Sequence, residues 1–356
     1  MAVASSALPR QPATQPWYFH PAIDWLGLGG LTFVLVVFFI LWNTARLDLT
    51  WVATATLIGS VLVNYPHYAA TYYRVYRRWG DVKQYALETL WIPVLLIGIG
   101  ALCLLNPANK ALSSWYCAGY LFFAGWHYSG QSYGIALIFS RKNGFELNNL
   151  QKLLFLLPLY LAYLYPIVRL NSVLGTPTDL WGVAIPTLGL PAWVPNLFGV
   201  AFYTSFIAYM LFTFYIHHTQ NKWLPGIVQV VVFSHILWFC EGSMMAGFMN
   251  FVPFFHCLQY LLITTYFHFR ENRTKSDSGT AFNYLKSRRF AVYYLLLLML
   301  GGVLFIAVPH ALSWGGISSF ALASAIVVSF LNMHHFVLDG AIWKLRRPEI
   351  GQALTG

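Results

Sequence analysis

The sequence predicts an all-α fold: a polytopic integral membrane helical bundle of about ten transmembrane helices, with both termini cytoplasmic. Three observations predict it. First, 58% of the 356 residues are hydrophobic and only 9% are charged, against roughly 25% charged in soluble domains. Second, the apolar runs are continuous and near the ~20 residues that cross a bilayer, without the alternation of a barrel strand. Third, Lys and Arg collect at alternate ends of these runs, the pattern that sets membrane orientation.

Taken in order, the chain opens with MAVASSALPRQPATQPWYFH, which holds one Arg, three Pro and no apolar core. It predicts a cytoplasmic tail over 1–26. A single membrane domain follows over 27–345, and a second cytoplasmic tail over 346–356. Within the domain the apolar segments lie at 27–43, 51–72, 86–105, 115–138, 153–168, 196–216, 224–243, 250–267, 291–309 and 318–342. One set of ends holds Arg10; Arg74, Arg77, Arg78 and Lys83; and Arg141, Lys142 and Lys152. To these it adds Lys222; Arg270, Arg273, Lys275, Lys286, Arg288 and Arg289; and Lys344, Arg346 and Arg347. The opposite ends hold only Arg46, Lys110 and Arg169. The net charge of +10 therefore reports topology, and no nucleic-acid partner is implied.

The loops are short. Residues 270–290 carry mixed charge and predict a solvated connector. Residues 169–195 hold four prolines among apolar residues such as Leu180, Trp181 and Val183, so this loop should lie on the membrane or cap the bundle. Cys103, Cys117, Cys240 and Cys257 sit in apolar runs without CxxC spacing and predict packing residues, neither disulfides nor a zinc knuckle.

Six histidines stand out by depth. At about 1.5 Å of rise per residue, His127 and His256 lie roughly 21 Å above the nearest cationic end, and His235 roughly 20 Å. His334 and His335 lie roughly 14 Å above it, and His67 roughly 10 Å. Ionisable groups at such depth are costly, face the bundle interior and mark function by default. A lone intramembrane His is as often an interhelical hydrogen-bonding group, but six in one slab predict a metal cluster, His being the commonest metal ligand. His20, His217, His218 and His268 fall at the membrane edge, and His310 follows Pro309 at a turn.

Four of the six deep histidines have a polar neighbour one turn on. Thr71 follows His67 by four, Gln131 follows His127, Tyr260 follows His256 and Asp339 follows His335, and residues four apart share a helix face. Adjacent residues are ~100° apart on a helix, so only one of His334 and His335 should face the site, and Asp339 favours His335. Pro66 loosens the backbone just before His67. The predicted metal residues are thus His67, His127, His235, His256, His334 and His335. Asp339, Gln131 and Tyr260 are the catalytic candidates, as carboxylate partner and positioning groups.

Several imidazoles with a carboxylate and open positions suit non-haem iron, with one or two ions. Such a centre would serve a membrane-embedded oxygenase or oxidoreductase acting on an apolar, lipid-like substrate (isoprenoid, carotenoid or fatty acyl). Zinc is an alternative metal. A b-type haem held between two histidines would instead make an electron-transfer subunit. A third reading is a transporter or structural subunit of a membrane complex, with partner subunits.

The fragments "YPHYAATYY", "WHYSGQSYG", "FFHCLQYL" and "NMHHFVLDG" together resemble the histidine motifs of the Brp/Blh-type membrane β-carotene 15,15′-dioxygenase family. Thr71 and Tyr72 stand where that family's PHGxxDH pattern has Asp and His. The resemblance implies a His-rich, iron-dependent, multi-span oxygenase in a bacterial inner membrane, in contact with membrane lipids and an apolar small-molecule substrate.

Overall fold

A computed structural model of the chain describes residues 16–41, 49–241, 247–273 and 279–355; Arg10, Arg46 and Lys275 of the charge pattern lie outside them. The fold is all-α, 81% helical, as continuous apolar runs require when backbone groups must be satisfied within each segment. The chain forms α1 (Pro21–Leu41), α2 (49–76), the short α3 (Trp79–Gln84), α4 (Leu87–Leu105), α5 (Lys110–Lys142) and α6 (Asn149–Leu170). A hairpin of β1 (Thr178–Leu180) and β2 (Val183–Ile185) precedes α7 (Trp193–Gln220) and α8 (Gly226–Cys240). There follow α9 (Val252–Asn272), α10 (Ala281–Leu285), α11 (Arg288–Trp314), α12 (Phe320–Ile342) and α13 (Pro348–Thr355).

Each of the ten apolar segments falls on its own helix. Among the described residues six helices are long and apolar enough to cross a membrane: α1, α4, α6, α7, α11 and α12. Three of the remainder, α2, α5 and α9, carry His67, His127 and His256. These polar residues lower the average hydropathy of their helices. Helix ends are set locally: Asn148 and Gln151 form a reciprocal capping box before α6, and Ser319 caps α12.

Prolines and π-turns come together. Pi-turns at Ser60–Asn64, Leu87–Trp91 and Val303–Ala307 stand just before Pro66, Pro93 and Pro309. A proline lacks its N–H and its ring collides with the carbonyl four residues back, so the ladder opens there. Neighbouring helices take up the freed carbonyls. Tyr294 Oη donates to Leu62 O, four before Pro66. Tyr76 Oη donates to Thr89 O, four before Pro93, at 2.7 Å.

The cationic ends meet at one end of the bundle. Arg77 and Arg78 pair with Glu271, and Arg347 donates to Tyr85 Oη. Lys222 Nζ donates to Asn143 O at 2.9 Å, and Lys142 lies over the Tyr18 ring at 5.4 Å. The segment expected as the C-terminal tail forms α13, whose Ile350, Ala353 and Leu354 are buried. Tyr18 Oη donates to Leu354 O at 2.9 Å, tying the two terminal segments together. At the other end the hairpin lays Leu180, Val183 and Ile185 against Cys103, Cys117 and Ala323. Trp181 (φ 49°) and Gly182 (φ 80°) turn it, the double positive φ of a tight hairpin turn. The loop thus caps the bundle. All four cysteines are free.

Candidate metal centre

Four of the six deep histidines converge. One ring nitrogen from each of His67 (α2), His127 (α5), His256 (α9) and His335 (α12) lies within 4.8 Å of the others. Nitrogens bound to one ion at about 2.0–2.1 Å are at most about 4.2 Å apart, so sub-ångström side-chain shifts would close them on a single ion. The rings meet edge to face, with centroids 5.1 Å apart for His67–His256 and 5.0 Å for His127–His335. Aromatic neighbours hold them: Tyr128 stacks on His256 at 3.8 Å and Phe336 on His127 at 4.6 Å.

The polar accounting singles this group out. Both nitrogens of His67, His256 and His335, and Nε2 of His127, are buried without a hydrogen-bond partner, as is Asp339 Oδ2. Each such orphan costs about 1–3 kcal/mol, and buried polar groups are otherwise almost always paired. Unpaired donors converging on one point fit a cation that takes their lone pairs. The residues present therefore fit a metal ion.

A second layer lies one turn along the same four helices. Asp339 Oδ1 accepts from Tyr260 Oη at 2.7 Å and from Thr71 Oγ1 at 2.9 Å. The Thr71 and Tyr260 hydroxyls also touch one another, and Trp343 Nε1 donates to Tyr260 Oη at 2.9 Å. Asp339 is thereby fixed with Oδ2 turned to the histidines, 3.3 Å from His335 Nε2 and 3.8 Å from His127 Nε2. Gln131 reaches across to α9, donating to His256 O at 2.9 Å and Gln259 Oε1 at 3.2 Å. The i, i+4 pairs meet pair upon pair because the four helices run in the same direction. Their first members form one layer and their second members the next.

His235 and His334 stand outside the group, which corrects the expectation of a six-histidine cluster. His235 contacts Ser132 Oγ through Nδ1 at 3.1 Å and donates from Nε2 to Leu159 O at 3.0 Å. It is a satisfied core histidine bridging α8, α5 and α6. His334 turns toward α4, where its Nε2 donates to Glu88 O at 3.0 Å. Equal depth did not mean equal facing. The edge histidines also have local duties: His268 stacks on Tyr293 and His217 on Trp223, both at 3.9 Å.

A cavity of about 570 Å³ reaches the centre from the side. His127, Gln131, Tyr260 and Asp339 line its inner end, while Ile92, Leu96, Phe123 and Trp126 lie toward the bundle exterior. Phe123 and Trp126 are half exposed there. Tyr128, Gln259 and Trp343 are the supporting residues that sequence reasoning passed over. Gln259 offered one signal, a lone amide inside "CLQYLL"; the stacking of Tyr128 has none, because it depends on another helix. Comparison with protein-family models, curated proteins and solved structures gives no match, so the geometry alone carries the reading of the site.

Proposed function

We propose that the chain is a membrane-embedded metalloenzyme, an oxidoreductase of the oxygenase type that uses one non-haem iron on an apolar, lipid-like substrate. The observation that carries this is the set of four converging, unpartnered imidazoles at the end of a side-opening apolar cavity. In this reading His67, His127, His256 and His335 hold the ion. Asp339, pinned by Tyr260 and Thr71, either completes the ligand set or fixes the His127 and His335 rings, as partners of metal-bound histidines do. Iron with open coordination positions supplies oxygen activation when bound. The chain's own part is to admit the substrate laterally past Phe123 and Trp126, exclude water, and hold an apolar chain against the centre. The proposal extends to about ten spans with both termini cytoplasmic, in a bacterial inner membrane, and to kinship with the Brp/Blh-type dioxygenases.

Four donors gathered at one point weigh against haem, whose two axial histidines must leave the plane between them to a macrocycle. The test is elemental analysis of detergent-purified protein with an absorption spectrum of the same sample. About one iron per chain and no Soret band is the expected result. A Soret band would move the protein to haem electron transfer. Metal far below one ion per chain, even after incubation with ferrous iron or zinc, would sink the metal reading and leave a transporter or scaffold.

A further inference from the structure

The cavity does not stop at the centre. On α5 its wall runs from Phe123 past His127 to Gly130, Gly134 and Ile138, a spacing of three or four that makes one helix face. On α12 it runs from Met333 past Phe336 to Gly340 and Trp343, with Leu345 beyond. At about 1.5 Å per residue, Gly134 lies roughly 10 Å past His127 and Ile138 roughly 16 Å, toward the cationic end. The mouth residues Phe123 and Trp126 precede His127 within about one turn. The centre therefore sits near one end of an elongated space, and the longer arm lies beyond it.

Two glycines keep that arm open. A Cβ on Gly134 or on Gly340 would meet nothing within 4 Å. Gly125, on the same helix as Gly134, shows the contrast: its Cβ would collide with the Tyr163 ring, so it is a glycine of close packing. Gly134 brings no neighbour nearer, and a glycine inside a helix weakens it relative to alanine. What the missing side chains provide is width. Gly134 is half-buried and Gly340 exposed, so both present surface to whatever fills the space. So do the half-buried Trp343 and Leu345 at the far end of the arm. Asp339, at the centre, is the one charged side chain among the described lining residues apart from the histidine, so the arm suits hydrocarbon and not a headgroup.

We infer that the cavity holds an extended apolar chain that runs past the centre, its leading end lodged by Trp343 and Leu345, with Gly134 and Gly340 deciding how long a chain is admitted. The centre then meets an interior position of the chain and not its tip. An extended chain advances about 1.2 Å per bond, as a backbone covers roughly 3.6 Å in three. About eight to thirteen bonds of chain therefore fit between the centre and the far end of the arm. This rests on the reading of the cavity as the substrate site and adds where on the substrate the chemistry falls.

The test is photolabelling of the full chain in detergent with two hexadecane probes, mapped by peptide mass spectrometry. One probe carries a diazirine at its last carbon and the other at mid-chain, and only sites that excess plain hexadecane protects are counted. The terminal diazirine should mark Trp343 or Leu345, and the mid-chain one Met333 or Phe336, level with the centre. In Gly134→Leu the labelling of Trp343 and Leu345 should fall about tenfold, as when a few added carbons crowd an apolar pocket. Labelling at Phe123 and Trp126 should persist there, and Gly134→Ala should label as the native chain does. Protected labels confined to Phe123 and Trp126 in the native chain overturn the inference, and so does the absence of any protected site. Unchanged labelling of Trp343 and Leu345 in Gly134→Leu also overturns it. Equal losses in Gly134→Ala and Gly134→Leu do the same, assigning the glycine to helix packing. Metal analysis of each sample keeps the two readings apart. Labelling of the arm without metal sinks the metalloenzyme alone, and metal with labels confined to the mouth sinks the chain's path alone.

Discussion

His127 and His235 begin from the same depth in the membrane and end in opposite chemical situations. His127 keeps Nε2 unpaired beside Asp339, with Phe336 stacked on its ring. His235 has both nitrogens engaged by Ser129, Ser132 and Leu159 O. Substitution should separate them. His127→Ala should abolish stoichiometric metal binding and relieve unpaired polar surface, so apo-protein stability should change little. His235→Ala should keep the metal and lower stability by about 1–3 kcal/mol, because Leu159 O loses a buried partner. Elemental analysis and thermal unfolding of the two variants read both effects. Metal loss in His235→Ala with retention in His127→Ala would reverse the assignment. Along each helix the four-residue step from histidine to Thr71, Gln131, Tyr260 or Asp339 was legible, because helical geometry fixes it. Which histidine turned inward was not, except for His335, where Asp339 on the same face gave the direction.

At the scale of the element, the site depends on where the bundle lets backbones approach. A Cβ on Gly301 of α11 would come 2.7 Å from the backbone and side chain of Tyr65, directly before Pro66 and His67. The π-turn and proline open α2 at this point, and Tyr294 from α11 covers the freed carbonyl of Leu62. Gly301→Val should therefore push α11 from α2 and cost about 1–3 kcal/mol by overpacking. It should also lower metal occupancy through His67, although residue 301 touches none of the four histidines. Unfolding midpoints and metal content check this together; full occupancy at unchanged stability would show that α2 does not hold the site by this contact. The expectation that Pro66 loosens the helix near His67 agrees with the π-turn there, whereas the tyrosine that compensates it lies far away in sequence.

For the whole molecule, the charged ends gather on one face. Arg77 with Glu271, Lys222 with Asn143 and Arg347 with Tyr85 tie together loops that the charge pattern had placed on the same side. Thr187, just past β2 of the hairpin, belongs to the opposite end. With the cationic face cytoplasmic, Thr187→Cys should react with a membrane-impermeant maleimide on intact cells. Gln220→Cys, at the cationic end of α7, should react only in inverted vesicles. The reverse pattern would invert the topology, and labelling of both from one side would break it. Among the described residues, length and average hydropathy together mark six helices as able to span. His67, His127 and His256 lie on three of the others, α2, α5 and α9, and are among the residues that lower their average.

The sequence by itself determined the helical segments, the clustering of charge at alternate ends, the depth of the histidines and the polar partner one turn from four of them. All of these are properties of one helix at a time, set by rise, periodicity and composition. Tertiary structure decided which four histidines share a point, which carboxylate oxygen faces them, and that α13 packs its apolar residues against the bundle. Those outcomes depend on the rotation of each helix about its own axis, which side-chain packing against neighbours sets and no single segment encodes.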